Sequence, residues 1–343
     1  MLFQRLTVSI TDIVLLITTY LWSTDCNDGL RAFYMVAFNM GLFIVDHMHF
    51  QYNGMLIGLL VACMVAARNK SVFVLSALYT VLVLMKHLFA TIAPLIATIL
   101  LRHCIMDQSG KLHVTLRSIF TMVTIALIIL LIVIAAFAPI LLDSEDKMAQ
   151  LMQIFSRLFP FGRGLVHAYW APNIWALYYG ADKFLSFFIR RVMKIHLLDS
   201  NGNQLANSAS GLVGDFALHV LPRVTPGFCG VLLILCSVIA SVAYWRSSDD
   251  KGLVRAVGFL SLSSFMFGFH VHEKAVLISL IVYSLLPRLS AQEKVFLQIF
   301  SAVGVVSLFP LIPGVLEWYI KGRCFRGPTC VFSTVFSCTF FFL

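Results

Sequence analysis

Charge is what this sequence has least of. Asp, Glu, Lys and Arg make up 12% of its 343 residues, about half the share found in an average soluble domain. So little charge cannot cover a water-facing surface of this size, which excludes an ordinary soluble enzyme. Phosphate-cradling loops are missing as well. Neither GxxxxGK[ST] nor GxGxxG occurs, which argues against a nucleotide-driven enzyme or pump. HExxH is absent, so a zinc-protease centre is excluded. The eight cysteines include no CxxC pair and mostly lie in apolar runs, as Cys63, Cys229 and Cys236 do. They read as small buried hydrophobes, not as a disulfide framework or a zinc site.

What is present instead is apolar. Hydrophobic residues form 60% of the chain, 30 of them Phe, and the mean hydropathy is +0.91. Such a chain demands burial, which excludes disorder and points to an all-α polytopic membrane protein. Apolar stretches fall at 5–22, 31–46, 50–67, 71–85, 88–101, 117–142, 228–245, 253–269, 274–287, 294–312 and 330–343. A spanning helix needs about 20 mostly apolar residues, which 117–142 and 228–245 supply. The shorter runs at 71–85, 88–101 and 274–287 fit tilted partners in a bundle, re-entrant segments, or halves of one longer element. About ten transmembrane helices are expected. They divide the chain into amino-terminal spans (1–142), a polar excursion (143–227) that is the one candidate soluble subdomain, further spans (228–316), and a hydrophobic tail (317–343).

The net charge of +9 fits loop-flanking residues that fix orientation better than it fits nucleic-acid binding. One set of alternate connections carries Arg31, Arg68, Lys70, Arg102, Lys111, Arg117, Arg246, Lys251, Arg255, Arg288 and Lys294. The opposite set carries only Lys86 and Lys274. The positive-inside rule puts the first set in the cytosol and the excursion on the lumenal or outer side. Arg5, before the first apolar run, disagrees. The start Met1-Leu2-Phe3 thus resembles the middle of a larger topology, with no cleavable signal peptide.

Three polar constellations interrupt the apolar pattern on that outer side. Asp46-His47-Met48-His49-Phe50-Gln51-Tyr52-Asn53-Gly54 places an acid and two histidines at a membrane boundary, which is costly unless they line a polar cavity. Metal ligation by Asp46, His47 and His49, interfacial anchoring and a polar substrate site all remain open, although i, i+2 spacing points helical imidazoles apart. Ser156-Arg157-Leu158-Phe159-Pro160-Phe161-Gly162-Arg163-Gly164 and His167-Ala168-Tyr169-Trp170-Ala171-Pro172-Asn173-Ile174-Trp175 mix Arg with aromatic faces. Aromatics suit a sugar and Arg a phosphate, while an amphipathic segment lying on the bilayer is the alternative. His270-Val271-His272-Glu273-Lys274 sets four ionisable groups between apolar segments, as a functional site or as a charged turn.

These motifs carry a resemblance. HFQYNG, SRLFPFGRG, HAYWAPNIWALY with its trailing Asp182-Lys183, and SSFMFGFHVHEKA resemble the dolichyl-phosphate-glucose-dependent α1,3-glucosyltransferases of asparagine-linked glycosylation, from about Leu2 to Leu316. His167–Asn173 resembles the branch that adds the second glucose. The resemblance implies a GT-C type membrane glycosyltransferase fold with one long lumenal loop, in the endoplasmic reticulum membrane and with its active site facing the lumen. It implies dolichyl-phosphate-glucose as donor, a monoglucosylated dolichyl-diphosphate oligosaccharide as acceptor, surrounding membrane lipid, and neither cofactor nor metal. An inverting transfer needs a carboxylate to deprotonate the attacking hydroxyl and cations for the departing phosphate. Arg157, Arg163, His270, His272 and Lys274 are the expected phosphate contacts. His47, His49, Gln51, Asn53, His167, Tyr169, Trp170 and Glu273 are expected to line the substrate site.

In the family the base sits on an acidic-Tyr-Pro-Pro segment of the first lumenal loop, and no such segment occurs in these residues. Asp46 is the fallback, with a supporting role expected. The chain resembles a member without its first span and first lumenal loop, and it departs from the family after Leu316. Alone it is expected to be inactive. The sibling that adds the first glucose, a catalytically silent fragment, and a transporter or lipid-handling protein are the other readings. A transporter should show paired interrupted helices in its two halves, and no such symmetry is visible.

Overall fold

The structure is a computed structural model that describes residues 2–25, 28–106, 111–158, 165, 171–192, 218 and 220–311. Among these the regular structure is helical, apart from an isolated bridge between Met106 and Leu112. The order is α1 (Leu2–Thr24), α2 (Gly29–Ala37), α3 (Met40–Leu42) running into a π-helical turn (Phe43–Met48), α4 (Asn53–Arg68), α5 (Val72–Met85), a 3-10 turn (His87–Ile92) opening into α6 (Ala93–Ile105), and α7 (Leu116–Leu142). The excursion holds α8 (Lys147–Leu158) and α9 (Ile174–Val192). Then come α10 (Pro226–Arg246), α11 (Asp250–Phe267), α12 (Val276–Ser284) and α13 (Ala291–Val306).

Six stretches are long and apolar enough to cross a membrane: Phe3–Thr24, Gly29–Met48, His87–Ile105, Leu116–Leu142, Pro226–Arg246 and Ala291–Leu311. That is fewer than the ten expected, and length gives the reason. The apolar helices α4 and α5 have 16 and 14 residues. At 1.5 Å per residue they reach about 24 and 21 Å, short of a hydrocarbon core of about 30 Å. Over its 18 residues α11 carries Asp250, Lys251 and Arg255. The run at 274–287 condenses into the nine-residue α12, buried at every position but Tyr283. The stretch 330–343, and the whole tail 317–343, lie outside the described residues.

Helix α7 is the opposite of α12. Only Ser118 and Ile125 are buried along its 27 residues, so nearly its whole circumference is left for lipid. Where lipid tails are as apolar as leucine, helices associate by close packing. Gly54 and Gly58, spaced as GxxxG, supply it between α1 and α4. A Cβ on Gly58 would stand 2.7 Å from the Leu15 backbone nitrogen, and one on Gly54 would stand 2.8 Å from Asp12 Oδ1.

The up-and-down course sorts the polar groups to two ends. One end gathers many residues of the basic set. Arg31 donates to the carbonyls of Ser284 (3.3 Å) and Leu286, and Arg68 pairs with Asp25 at 2.9 Å. Arg102 donates to the Trp245 carbonyl at 2.6 Å. Lys251 and Arg255 both hold Glu293, at 2.8 and 2.6 Å. The other end gathers the start of α4, the break between α5 and α6, and the loop between α11 and α12.

Candidate functional site

At this second end the π-helical turn lifts Asp46 to the mouth of α4, where the first backbone N–H groups of a helix lack intrahelical partners. Asp46 is 1% exposed. Its Oδ1 accepts from the Asn53 backbone N–H (3.2 Å) and side-chain amide (2.9 Å), and its Oδ2 accepts from the Gly54 N–H at 2.5 Å. A carboxylate at a helix amino terminus also complements the macrodipole. The motif therefore closes as a cap on α4. With both oxygens engaged and almost no surface, Asp46 is poorly placed to receive a hydroxyl proton from a substrate.

Asn53 carries the network outward. Its amide also donates to Gln51 Oε1 at 3.1 Å, and its Oδ1 accepts from Lys86 Nζ at 3.1 Å. Lys86 breaks the helix between α5 and α6 with extended backbone (φ −151°, ψ 106°). Burial, then the positive charge of Lys274, loosen the Lys86 proton to about 8, with Asp46 partly offsetting them. Lys274 is also shifted down by burial, against the opposing pull of Glu273 and Asp46. Two half-buried lysines thus crowd one counter-ion, Asp46, with the buried Glu273 beside the second. Ammonium groups held in place away from bulk water suit an incoming phosphate.

The expected site residues divide. Asp46, Gln51, Asn53, Glu273 and Lys274 come together. His270 and His272 stand edge to face in the adjoining loop, ring centres 6.0 Å apart, with His270 in left-handed backbone at φ 54°. The other histidines diverge. His47 Nε2 lies 2.8 Å from Asp12 Oδ2 on α1, and the His49 ring meets the Leu311 carbonyl. Arg157 lies in the last turn of α8, a helix with no buried residue, and among the described residues no hydrogen bond or ion pair joins it to the cluster. Arg163, His167, Tyr169 and Trp170 lie outside the described residues.

The end of the second motif is described, and it docks on the third. Asn173 caps α9 by accepting from the Trp175 and Ala176 N–H groups at 3.1 and 3.2 Å, and its amide donates to the Phe265 carbonyl at 3.4 Å. Trp175 Nε1 donates to the Gly268 carbonyl at 3.1 Å, and the His270 N–H donates to the Leu165 carbonyl at 2.9 Å. The excursion is therefore fastened to the loop that carries Lys274. Two residues escaped the sequence reading of the site. Asp12 sits inside an apolar run, where an acid is itself a signal. Lys86 reads from the sequence as a loop charge, yet it and Lys274 are the two basic residues of the charge-poor set.

The ALG6, ALG8 glycosyltransferase family matches residues 1–340. A Neurospora crassa protein named dolichyl pyrophosphate Glc1Man9GlcNAc2 alpha-1,3-glucosyltransferase is 38% identical over 330 residues, covering 93% of this chain and 63% of the relative. Proteins of the same name from Mus musculus and Saccharomyces cerevisiae are 37% and 32% identical, over 94% and 93% of this chain and 62% and 59% of their own lengths. The chain thus spans about three-fifths of the length of these curated relatives.

Proposed function

Since the chain belongs to the ALG6, ALG8 glycosyltransferase family, we propose that it serves glucosyl transfer from dolichyl-phosphate-glucose to a dolichyl-diphosphate oligosaccharide that already bears one glucose. The observation that carries this reading is the meeting of Lys86 and Lys274 around Asp46 and Asn53 at one end of the bundle. In an inverting displacement the acceptor hydroxyl attacks the anomeric carbon, the bond to the dolichyl phosphate oxygen breaks, and the hydroxyl proton passes to a base. Negative charge grows on the departing phosphate, where Lys86 and Lys274 act. Asp46 and Asn53 hold Lys86 in position, and we assign the base to no residue of this chain. The GT-C type fold, a site facing the lumen of the endoplasmic reticulum, and substrate-lining roles for His270, His272 and Glu273 belong to the same proposal.

The choice of acceptor rests on His167–Asn173 and on the Glc1 acceptor in the relatives' names. Cells lacking the second-glucose enzyme accumulate lipid-linked oligosaccharide with one glucose, and expressing the protein that carries this chain should clear it. Rescue only of cells stalled with no glucose would reassign it to the sibling step. The orientation has its own test. Asn69, in the sequon Asn69-Lys70-Ser71, stands at the basic end and should carry no glycan. A deglycosidase-sensitive mobility shift that Asn69→Gln abolishes would invert the topology.

A further inference from the structure

The basic end holds a cleft of about 320 Å³ between the ends of α4, α6 and α10 and the start of α11. This is within the range of about 300–1,000 Å³ typical of small-molecule sites. It lies at the opposite end of the helices from the Lys86–Lys274 cluster on which the proposed glucosyl transfer rests. Its lining includes Arg68, Lys70, Arg102 and His103 from the ends of α4 and α6, and Asp249 and Asp250 from the start of α11, with Arg68 also paired to Asp25.

The two arginines are fixed before any ligand arrives. Arg68 lies 4.7 Å over the Trp22 ring and donates to the carbonyls of Trp22 and Leu21, each at 2.9 Å. Arg102 lies 5.5 Å over the Trp245 ring and donates to the Trp245 carbonyl. Lys70 reaches the cleft from a turn in left-handed backbone (φ 56°). The Asp249 Oδ1 atom caps α11 through the Gly252 N–H at 2.9 Å and accepts from Ser247 Oγ at 3.0 Å.

Trp22 is fully buried, but Trp245 at the end of α10 is partly exposed, and a tryptophan at a helix end marks the headgroup level of a bilayer, so the cleft opens among lipid headgroups. A wall of cations matches a phosphate. A wall of carboxylates matches an ammonium that can donate hydrogen bonds, which a primary ammonium can and a quaternary one cannot. We infer that this cleft binds the phosphoethanolamine headgroup of a membrane phospholipid, with the phosphate toward Arg68, Lys70 and Arg102 and the ammonium toward Asp249 and Asp250. Such a ligand ties four helix ends together and stabilises the fold by mass action.

The test is thermal unfolding of the full chain in phosphatidylcholine nanodiscs doped with phosphatidylethanolamine or phosphatidylglycerol, or supplied with inorganic phosphate. Phosphatidylethanolamine should raise the midpoint saturably, with an apparent affinity about tenfold above phosphatidylglycerol, equivalent to about 1.4 kcal/mol. Inorganic phosphate should have little effect. Asp250→Asn should erase the preference for phosphatidylethanolamine over phosphatidylglycerol, whereas Lys70→Gln should weaken both lipids alike. Equal or better protection by phosphatidylglycerol or by inorganic phosphate overturns the proposal. So does an unchanged preference in Asp250→Asn, which would mark a bulk bilayer effect. The unsubstituted chain compared across headgroups decides the matter even where a variant fails to accumulate.

Discussion

In a complete family member that carries these residues, replacing Lys86 or Lys274 by alanine should lower glucosyl transfer by about 10²–10³-fold per folded molecule, the usual cost of losing one preorganised charge-stabilising donor. Lys86 is held by Asn53 Oδ1 at 3.1 Å, and Lys274 stands next to the buried Glu273, so neither charge has to be assembled during the reaction. Specific activity and folded yield, measured together on purified protein, separate this from an anchoring role. Anchors would lose yield and keep specific activity, and that outcome sinks the assignment.

The same lysine predicts a pH signature with two opposite signs. With its proton loosened to about 8 by burial and by Lys274, Lys86 is charged below that pH and neutral above it. Donor binding should weaken as pH rises through about 8. Stability should move the other way. Between about 8 and its ordinary value of 10.5, the unfolded chain binds the proton that the folded chain has released. Unfolding therefore takes up protons in this window, and raising the pH favours the folded state. A Lys86→Met chain should show neither effect.

Asp46→Ala should cost folded protein rather than chemistry. It strips the acceptor from two backbone N–H groups and one side-chain amide at a site that is 1% exposed. Buried donors left unpaired cost about 1–3 kcal/mol each, against a total stability of roughly 5–15 kcal/mol for a typical protein. Made in a complete family member, most of the variant should be lost as aggregate on detergent extraction, and the surviving monodisperse fraction should keep a measurable share of specific activity. Asp46→Asn, which keeps one acceptor oxygen, should fall between. A well-folded Asp46→Ala protein slowed by 10²–10⁴-fold, the usual contribution of a general base, would make Asp46 the base after all.

Much of the second end was legible without coordinates. Asp46, Gln51 and Asn53 are close in sequence, so their meeting is a local matter, as is the adjacency of Glu273 and Lys274. That these two groups share one site was not legible, since 33 residues separate Asn53 from Lys86 and far more separate either from Lys274. Nor could spacing say that His47 turns to Asp12 and His49 to Leu311. A π-helical turn changes the angular step between successive side chains, so an α-helical template for this motif has the wrong period.

Composition and charge asymmetry by themselves determined that this is a helical, multi-spanning chain with its basic residues sorted to alternate connections. Those properties are sums over many residues, and no single contact can reverse them. Tertiary structure alone decided which apolar runs are long enough to span and which are folded into the interior. Hydropathy is the same for a residue facing lipid and one facing another helix, so α7 and α12 look alike in sequence, yet one is almost bare and the other almost wholly covered. It also decided that Lys86 and Lys274, the two charges missing from the basic set, stand within reach of the same carboxylate, Asp46, because only packing brings helix ends from distant parts of a chain to the same place.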